Sequence, residues 1–582
     1  MQPLTKIQSH RRYKLVTDEK ADGATYTPPH LAEFVASQII GAATLPNADL
    51  HILDPAVGDG ELLLSLMAKV SEQFERSEAI VVHGFDTNPA ALALARQRLA
   101  ADFPNADLRL EVKNFLEFSA ENSSTNKSLS LFSSVAEPLL FDLIIANPPY
   151  VRTQIMGAEQ AQKLATVFGL NGRVDLYHAF LIAIAQVLKP TGTAGIIVSN
   201  RFMTTKGGAS LRAALRTQFG LRHIWDLGDT KIFDAAVLPA VILAEGRNGH
   251  PLPTPIFTSI YETEESATLK AIDPIDALKM TGNVALKNGR CFRVQHGTLD
   301  NSGAHDDLWR IATTETDAWL STVLNHTWRT FGDIGKIRVG VKTCADKIFI
   351  RSDWHEWPED ERPELLRTLT THHIARRFRA TSSNKRREIL YPHESINGQR
   401  RAVDLSDKPI SLAYLESHRA ALEARKYVVE GGRRWYELWV PQDPAAWDAP
   451  KLVFRDISER PTFWMDLEGS VVNGDCYWIT ADKENKEDLL WLAAAVANSK
   501  FIEAFYDHRF NNKLYAGRRR FMKQYVEEFP LPDPQTEFSR EIVRMTKEIY
   551  ASVDERPTVD IGVKLDAMIW QSFGLGVKEI TW

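Results

Sequence analysis

Four consecutive residues, Asn147-Pro148-Pro149-Tyr150, combine a planar amide, two carbonyls and an aromatic ring. The prolines stiffen the backbone and remove two N–H donors, leaving carbonyls able to point into a site. The Asn147 side-chain oxygen and the Pro148 carbonyl can together accept both hydrogens of an amino group, turning that nitrogen's lone pair toward an electrophilic methyl. Tyr150 offers a ring face on which a planar base can stack. A proline-rich turn accounts for many Pro-Pro pairs, but not for this tetrapeptide directly after the apolar run Phe141–Ala146.

Three further places could hold a nucleotide-like ligand. Asp54-Pro55-Ala56-Val57-Gly58-Asp59-Gly60 follows a short apolar run and opens a helical pattern. Glycines in such a turn let backbone approach a ligand, and doubly wound sheets bind ligands at the carboxyl ends of their strands. Alone, the turn reads equally well as an ordinary strand–helix connection. Asp86 ends the next strand, where a carboxylate can accept from ribose hydroxyls; it could instead cap the helix at Pro89, a task for which Thr87 and Asn88 compete. Asn114-Phe115 closes the third strand, as an amide and ring for an adenine base or as a turn residue beside a core Phe.

The elements that position these residues follow from periodicity. Strands are predicted at 51–54, 80–85, 108–112, 141–146, 194–198, 223–226 and 237–243, with helices at 61–74, 89–102, 175–188 and 210–219 between them. Such alternation means a largely parallel sheet covered by helices on both faces. Residues 119–138, rich in Ser and Asn, read as a surface loop. The expected class is α/β: a Rossmann-like doubly wound sheet over 1–250, a connecting region over 251–330 and a mixed α+β domain over 331–582.

Composition narrows the setting. With 69 Lys+Arg against 75 Asp+Glu the net charge is -6, so any surface for a polyanion must be a local patch. The three cysteines, Cys291, Cys344 and Cys476, are far apart, which disfavours a disulfide framework or a zinc site. No metal is expected. No signal-like segment opens the chain and no apolar run has membrane-spanning length, so a cytoplasmic protein with no membrane partner is expected.

In order and content these motifs resemble the amino-methyltransferases of restriction-modification systems, in their gamma arrangement. Thr27-Pro28 is similar to the N-terminal cofactor motif of that arrangement; the turn from Asp54 to Gly60, Asp86, Asn114-Phe115 and Asn147-Pro148-Pro149-Tyr150 follow in the family's sequence. Tyr177, in Asp175-Leu176-Tyr177-His178-Ala179-Phe180, resembles the next cofactor-pocket helix. Phe233 matches a motif whose aromatic residue stacks on the target base; the competing reading is a hydrophobic residue entering a strand. The resemblance implies S-adenosyl-L-methionine as cofactor, held by Thr27, Pro28, Asp54, Pro55, Ala56, Gly58, Gly60, Asp86, Asn114, Phe115, Asn147 and Tyr177. It implies transfer to adenine N6 of a base flipped out of double-stranded DNA, with Asn147, Pro148, Pro149 and Tyr150 catalytic. The enzyme would act as a monomer, with room for a separately encoded cognate restriction endonuclease. Two departures stand out: Val57 replaces a small polar residue or Cys, and Asn114 replaces a frequent acid.

Extruding a base requires holding the duplex. Arg376, Arg377, Arg379, Arg386 and Arg387 form one basic stretch, with Arg433-Arg434 and Arg518-Arg519 as others, each near aromatic residues. Phosphate and guanine contacts need such groups, although charge runs are usually solvated faces. Competing functions are cytosine-N4 methylation, which more often carries Ser in place of Asn147, methylation of protein glutamine or ribosomal RNA, a fused restriction-modification polypeptide, and a non-catalytic DNA-binding defence subunit. The long C-terminal region, the intact tetrapeptide and the lack of nuclease motifs favour the DNA adenine enzyme.

Overall fold

The computed structural model describes residues 26–576 apart from 47–48, 74–78, 125–137, 152–156, 172–174, 234–237, 248, 250–252, 301–307, 382–385, 482–485, 511–517 and 553–554. The chain divides after Thr313 into two compact units.

The first unit is built on one large sheet. Its strands are β1 (Leu50–Asp54), β2 (Ile80–Asp86), β3 (Asp107–Val112), β4 (Phe141–Ala146), β5 (Leu188–Ser199), β6 (Phe219–Asp226), β7 (Pro239–Gly246), β8 (Ile256–Glu262), β9 (Leu269–Ala271), β10 (Gly282–Leu286), β11 (Cys291–Leu299) and β12 (Ile311–Ala312). The spatial order is β3-β2-β1-β4-β5-β7-β6-β8-β11-β10-β9, with β12 paired to β11. From β3 to β5 neighbours are parallel; β7 runs antiparallel to both β5 and β6.

Helices cover both faces: α1 (Pro29–Ala42), α2 (Glu61–Gln73), α3 (Pro89–Asp102), α4 (Phe115–Ser124), α5 (Ala158–Phe168) and α6 (Leu176–Val187). Because strand side chains alternate, Leu143 and Ile145 join one core with α1 and α2, while Ile144 and Ala146 join another with α6. Every residue of β4 is buried, as expected of a strand covered on both sides. α1 lies against β5 at Gly195, where an added Cβ would sit 2.7 Å from both Val35 and Ile39.

Two sequence expectations need adjustment. Residues 119–124 finish α4 instead of starting a loop, and the rest of that stretch, 125–137, lies outside the described residues. Residues 256–312, within the expected connecting region, continue the sheet as β8 to β12. Their strands are short or half-exposed: in β11, Phe292 and Val294 are buried while Arg293 and Gln295 are exposed. A period-two signal of that length is weaker than the continuous apolar runs before it.

The second unit is mixed α and β. A five-stranded and a four-stranded sheet enclose a core containing Trp354, Trp447, Trp464 and Trp478. Helices Lys486–Ala497, Lys500–Phe510, Glu537–Ala551 and Glu555–Ser572 follow.

Candidate active site

The carboxyl ends of β1, β2 and β4 bring the predicted residues of the first unit toward one edge. After β1, Asp54 Oδ1 accepts from the Ala56 N–H at 2.9 Å. Its other oxygen is buried and, among the described residues, has no partner. Burial pushes the Asp54 carboxyl up to about 8, helped by the nearby charges of Asp86 and Asp59 and opposed by the Ala56 hydrogen bond. Gly58 and Gly60 have φ of 55° and 86°, a left-handed region that favours glycine. Arg98 from α3 holds this turn by donating to the Asp59 carbonyl at 2.8 Å and to Glu61 at 2.6 Å.

Asp86 is tied to the same turn. Its Oδ2 accepts from the Gly58 N–H at 2.8 Å and its Oδ1 from the Asn88 N–H at 2.7 Å. The cap of α3 is Asn88, which accepts from Ala90 and Ala91. Asp86 thus has no capping task on that helix, and each of its oxygens keeps acceptor capacity beyond one backbone bond. The third strand behaves differently. Asn114 Oδ1 accepts from Leu116 N–H at 2.9 Å, starting α4, and the Phe115 ring is buried against Phe85 and Phe180. These contacts are those of a helix cap and a core ring.

At the end of β4, Asn147 is held between two hydroxyls. Its Nδ2 donates to Thr27 Oγ1 at 3.0 Å, and its Oδ1 accepts from the Tyr150 hydroxyl at 2.8 Å. Thr27 is buried and stands just before Pro28, the N-cap of α1, so the packing of that helix on β5 fixes its hydroxyl. Among the described residues the Pro148 carbonyl accepts no hydrogen bond. Tyr177, on α6, meets the Tyr150 ring edge-on at 6.1 Å between centroids. Burial raises the phenol pKa of both tyrosines well above the usual range, keeping them neutral donors.

Phe233 is not beside Tyr150. It is 5% exposed and belongs to the core on the α1 side of the sheet, whereas Tyr150 packs against the core on the opposite side. The sequence reading also missed the polar network that frames the loop carrying it. Asp226, at the end of β6, accepts from the Tyr261 hydroxyl at 2.7 Å, Asn200 Nδ2 at 2.9 Å and the Gly228 N–H at 3.2 Å. A buried acid ending an apolar strand was the available signal. Tyr26, whose ring would lie 3.8 Å from a Cβ at Gly58, was missed as well.

In the second unit most of the predicted DNA-binding arginines have internal partners. Arg377 donates to the Asn498 carbonyl and Arg379 to the Ser552 carbonyl. Arg433 donates to the Leu438 carbonyl at 2.9 Å, Arg434 to the Tyr436 hydroxyl at 2.6 Å and Arg376 to the carbonyl of Ala375 at 3.0 Å. Arg519 forms a two-point pair with Asp507 at 2.8 Å. Arg386, Arg387 and Arg518 are exposed, the first and last near Glu468 and Glu459. Adjacent arginines in these clusters thus serve different internal carbonyls and carboxylates.

Comparison with known proteins agrees with this division. The Eco57I restriction-modification methylase family matches residues 81–233, and the TaqI-like C-terminal specificity domain matches 400–531. The chain is 37% identical to the Type II methyltransferase M.BanIII of Aneurinibacillus aneurinilyticus, over 97% of this chain and 98% of that protein. It is 31% identical, over 29% of this chain and 60% of the other, to a tRNA1(Val) (adenine(37)-N6)-methyltransferase of Shewanella sediminis. The fold is similar to that of the Type IIL restriction-modification enzyme MmeI in complex with DNA, with a TM-score of 0.56 at 14% identity over 97% of this chain and 73% of that one.

Proposed function

We propose that this protein, which belongs to the Type II restriction-modification DNA methyltransferases and carries a C-terminal specificity domain, methylates the N6 amino group of an adenine flipped out of double-stranded DNA. The methyl donor is S-adenosyl-L-methionine, which when bound supplies a methyl carbon on a positively charged sulfur. The residues at the strand ends fit that group. Asp54 offers a buried oxygen without a partner to a cationic donor, Asp86 offers carboxylate oxygens to hydroxyls, and the Gly58–Gly60 turn admits close backbone approach.

The observation that carries the reading is the seating of Asn147 between Thr27 and Tyr150. With Nδ2 bound to Thr27, the amide oxygen is oriented to accept one amino hydrogen in place of the Tyr150 hydroxyl. The Pro148 carbonyl accepts the other. Both acceptors strengthen their bonds as positive charge grows on the nitrogen, so they stabilise the transition state more than the ground state. The Tyr150 ring provides the stacking face for the extruded base. Thr27, expected from the sequence to touch the cofactor, acts on this reading through Asn147 as a positioning residue. The 31% identity to an adenine-N6 methyltransferase of tRNA also supports the choice of adenine.

Nucleoside analysis of DNA from a host expressing the protein tests the proposal. N6-methyladenine within one recurring sequence is expected. N4-methylcytosine instead, or no modified base, would overturn it.

A further inference from the structure

In the specificity unit, strands His393–Ile396 and Gln399–Ala402 form a separate two-stranded ribbon. The register pairs His393 with Ala402, Glu394 with Arg401, Ser395 with Arg400 and Ile396 with Gln399. The tip residues Asn397 and Gly398 have φ of 51° and 73°, the Asn-Gly signature of a tight hairpin whose twist matches its strands.

The two faces of the ribbon differ. Side chains directly opposite share a face and alternate along each strand. One face carries His393, Ser395, Arg400 and Ala402, and at its base it is pinned to the unit. Buried His393 accepts through Nε2 from the Leu438 N–H at 3.0 Å, and at the ribbon's end the Val403 carbonyl accepts from the Tyr436 hydroxyl at 2.8 Å. Nearer the tip, Arg400 only reaches the Gln442 carbonyl, at 3.4 Å. The other face carries Glu394, Ile396, Gln399 and Arg401. Gln399 and Arg401 are exposed, and Ile396 is 40% exposed. Among the described residues, no hydrogen bond or ion pair engages the Gln399 or Arg401 side chain. This contrasts with Arg377, Arg379, Arg433 and Arg519, which donate to acceptors of their own chain.

We infer that this ribbon enters the major groove and that Gln399 and Arg401 read base edges there. The inference rests on the reading that the protein acts on a specific DNA sequence. A two-stranded ribbon fits the major groove, roughly 12 Å wide. Gln can pair with the two polar atoms of adenine and Arg with those of guanine, while an apolar residue such as Ile396 suits a thymine methyl. Arg400, on the other face of the ribbon, supplies positive charge toward the phosphates. The pinned base and free tip hold these groups in a defined position before DNA arrives, which reduces the ordering lost on binding.

The test separates this reading from the catalytic one because it uses binding alone. Duplexes are selected from a randomised pool by the full-length protein and by its Gln399→Ala and Arg401→Ala variants, without methyl donor. The unmodified protein should select a defined sequence. Each variant should lose preference at one base pair, by roughly 5- to 150-fold, with the other positions retained. A variant pool identical to the parent, or uniform weakening at every position, would overturn the inference; the second result would make these side chains phosphate contacts. Thermal melting of each variant at the parent's temperature shows that the exposed tip was changed without unfolding the unit. If selection succeeds while no methylated base is found in host DNA, the catalytic proposal fails and this one stands.

Discussion

At the carboxyl edge of the first unit, polar groups are buried yet not fully engaged: Asp54 Oδ2 has no partner among the described residues, and neither does the Pro148 carbonyl. In the specificity unit the reverse holds for most arginines. Arg377, Arg379, Arg433 and Arg519 lie partly inside and donate to carbonyls or carboxylates of their own chain. Burying an unpaired polar group is unfavourable, so such a group persists where a ligand completes it. A guanidinium that donates to acceptors of its own chain holds loops together. Unmet hydrogen-bonding capacity points to a ligand where it falls at a strand end beside a glycine turn, as at Asp54; the Trp447 and Trp464 indole N–H groups also lack partners among the described residues, but they sit in a packed core.

The largest effect is expected at Asn147. Asn147→Ala should lower the rate of methyl transfer by about a hundredfold or more, with cofactor affinity and melting temperature nearly unchanged. Thr27→Val, which keeps shape and removes the hydroxyl, should reduce kcat in the same direction but less, while Thr27→Ser should restore it. If Thr27→Val instead weakens S-adenosylmethionine binding at unchanged kcat, its contact with Asn147 is incidental.

Next comes the pH dependence of cofactor binding. Asp54 titrates near pH 8 in the free protein because it is buried. Pairing with a cationic group requires the ionised form, so affinity should rise by about tenfold per pH unit below that value and level off above it. Calorimetry in buffers of different ionisation heat should record proton release at pH 7. Asp54→Asn should flatten the profile. The sign for stability is opposite: a carboxyl raised from about 4 in the unfolded chain favours the folded state below that pH, and the contribution is lost as pH rises through 8.

A smaller effect separates the two kinds of arginine. Arg519→Ala leaves Asp507 without its two-point partner and should destabilise the protein by about 1–3 kcal/mol, read as a lower melting temperature. The salt dependence of DNA binding should stay the same. A reduced salt slope with unchanged melting would return Arg519 to the phosphate contacts expected from sequence.

How much was legible follows the same line. The strands β1, β2 and β4 were readable because fully buried strands are continuous apolar runs, and the chemistry sits at their ends, where a motif of a few residues fixes the geometry. Thr27 was visible as part of a motif, but its contact with Asn147 spans 120 residues and depends on α1 packing against Gly195. The internal partners of the arginine clusters were not legible, because sequence shows where a guanidinium starts, not which carbonyl it reaches. The burial of Phe233 was not legible either, because a ring entering a strand looks alike whether it faces a base or the core. The ribbon at 393–402 carries a short hairpin signal, Asn397-Gly398, hidden among the charges around it.

The smallest effect concerns Asn114, where a cofactor role and a structural role compete. Its Oδ1 accepts from the Leu116 N–H at the start of α4, and loss of such a cap typically destabilises by about 1 kcal/mol. Asn114→Ala should therefore lower the melting temperature slightly. Asn114→Asp keeps an oxygen for the same N–H, and negative charge near a helix start is favourable, so stability should be retained. The two variants then isolate the cofactor. If the Asn114 side chain also accepts from the cofactor's adenine amino group, Asn114→Asp should tighten binding and Asn114→Ala should weaken it beyond what lost stability explains. We expect the affinity of both to stay within about twofold of the parent, since one hydrogen bond of ordinary strength would change it several-fold. A several-fold gain in Asn114→Asp would place this residue with Asp54 and Asp86 rather than with the caps.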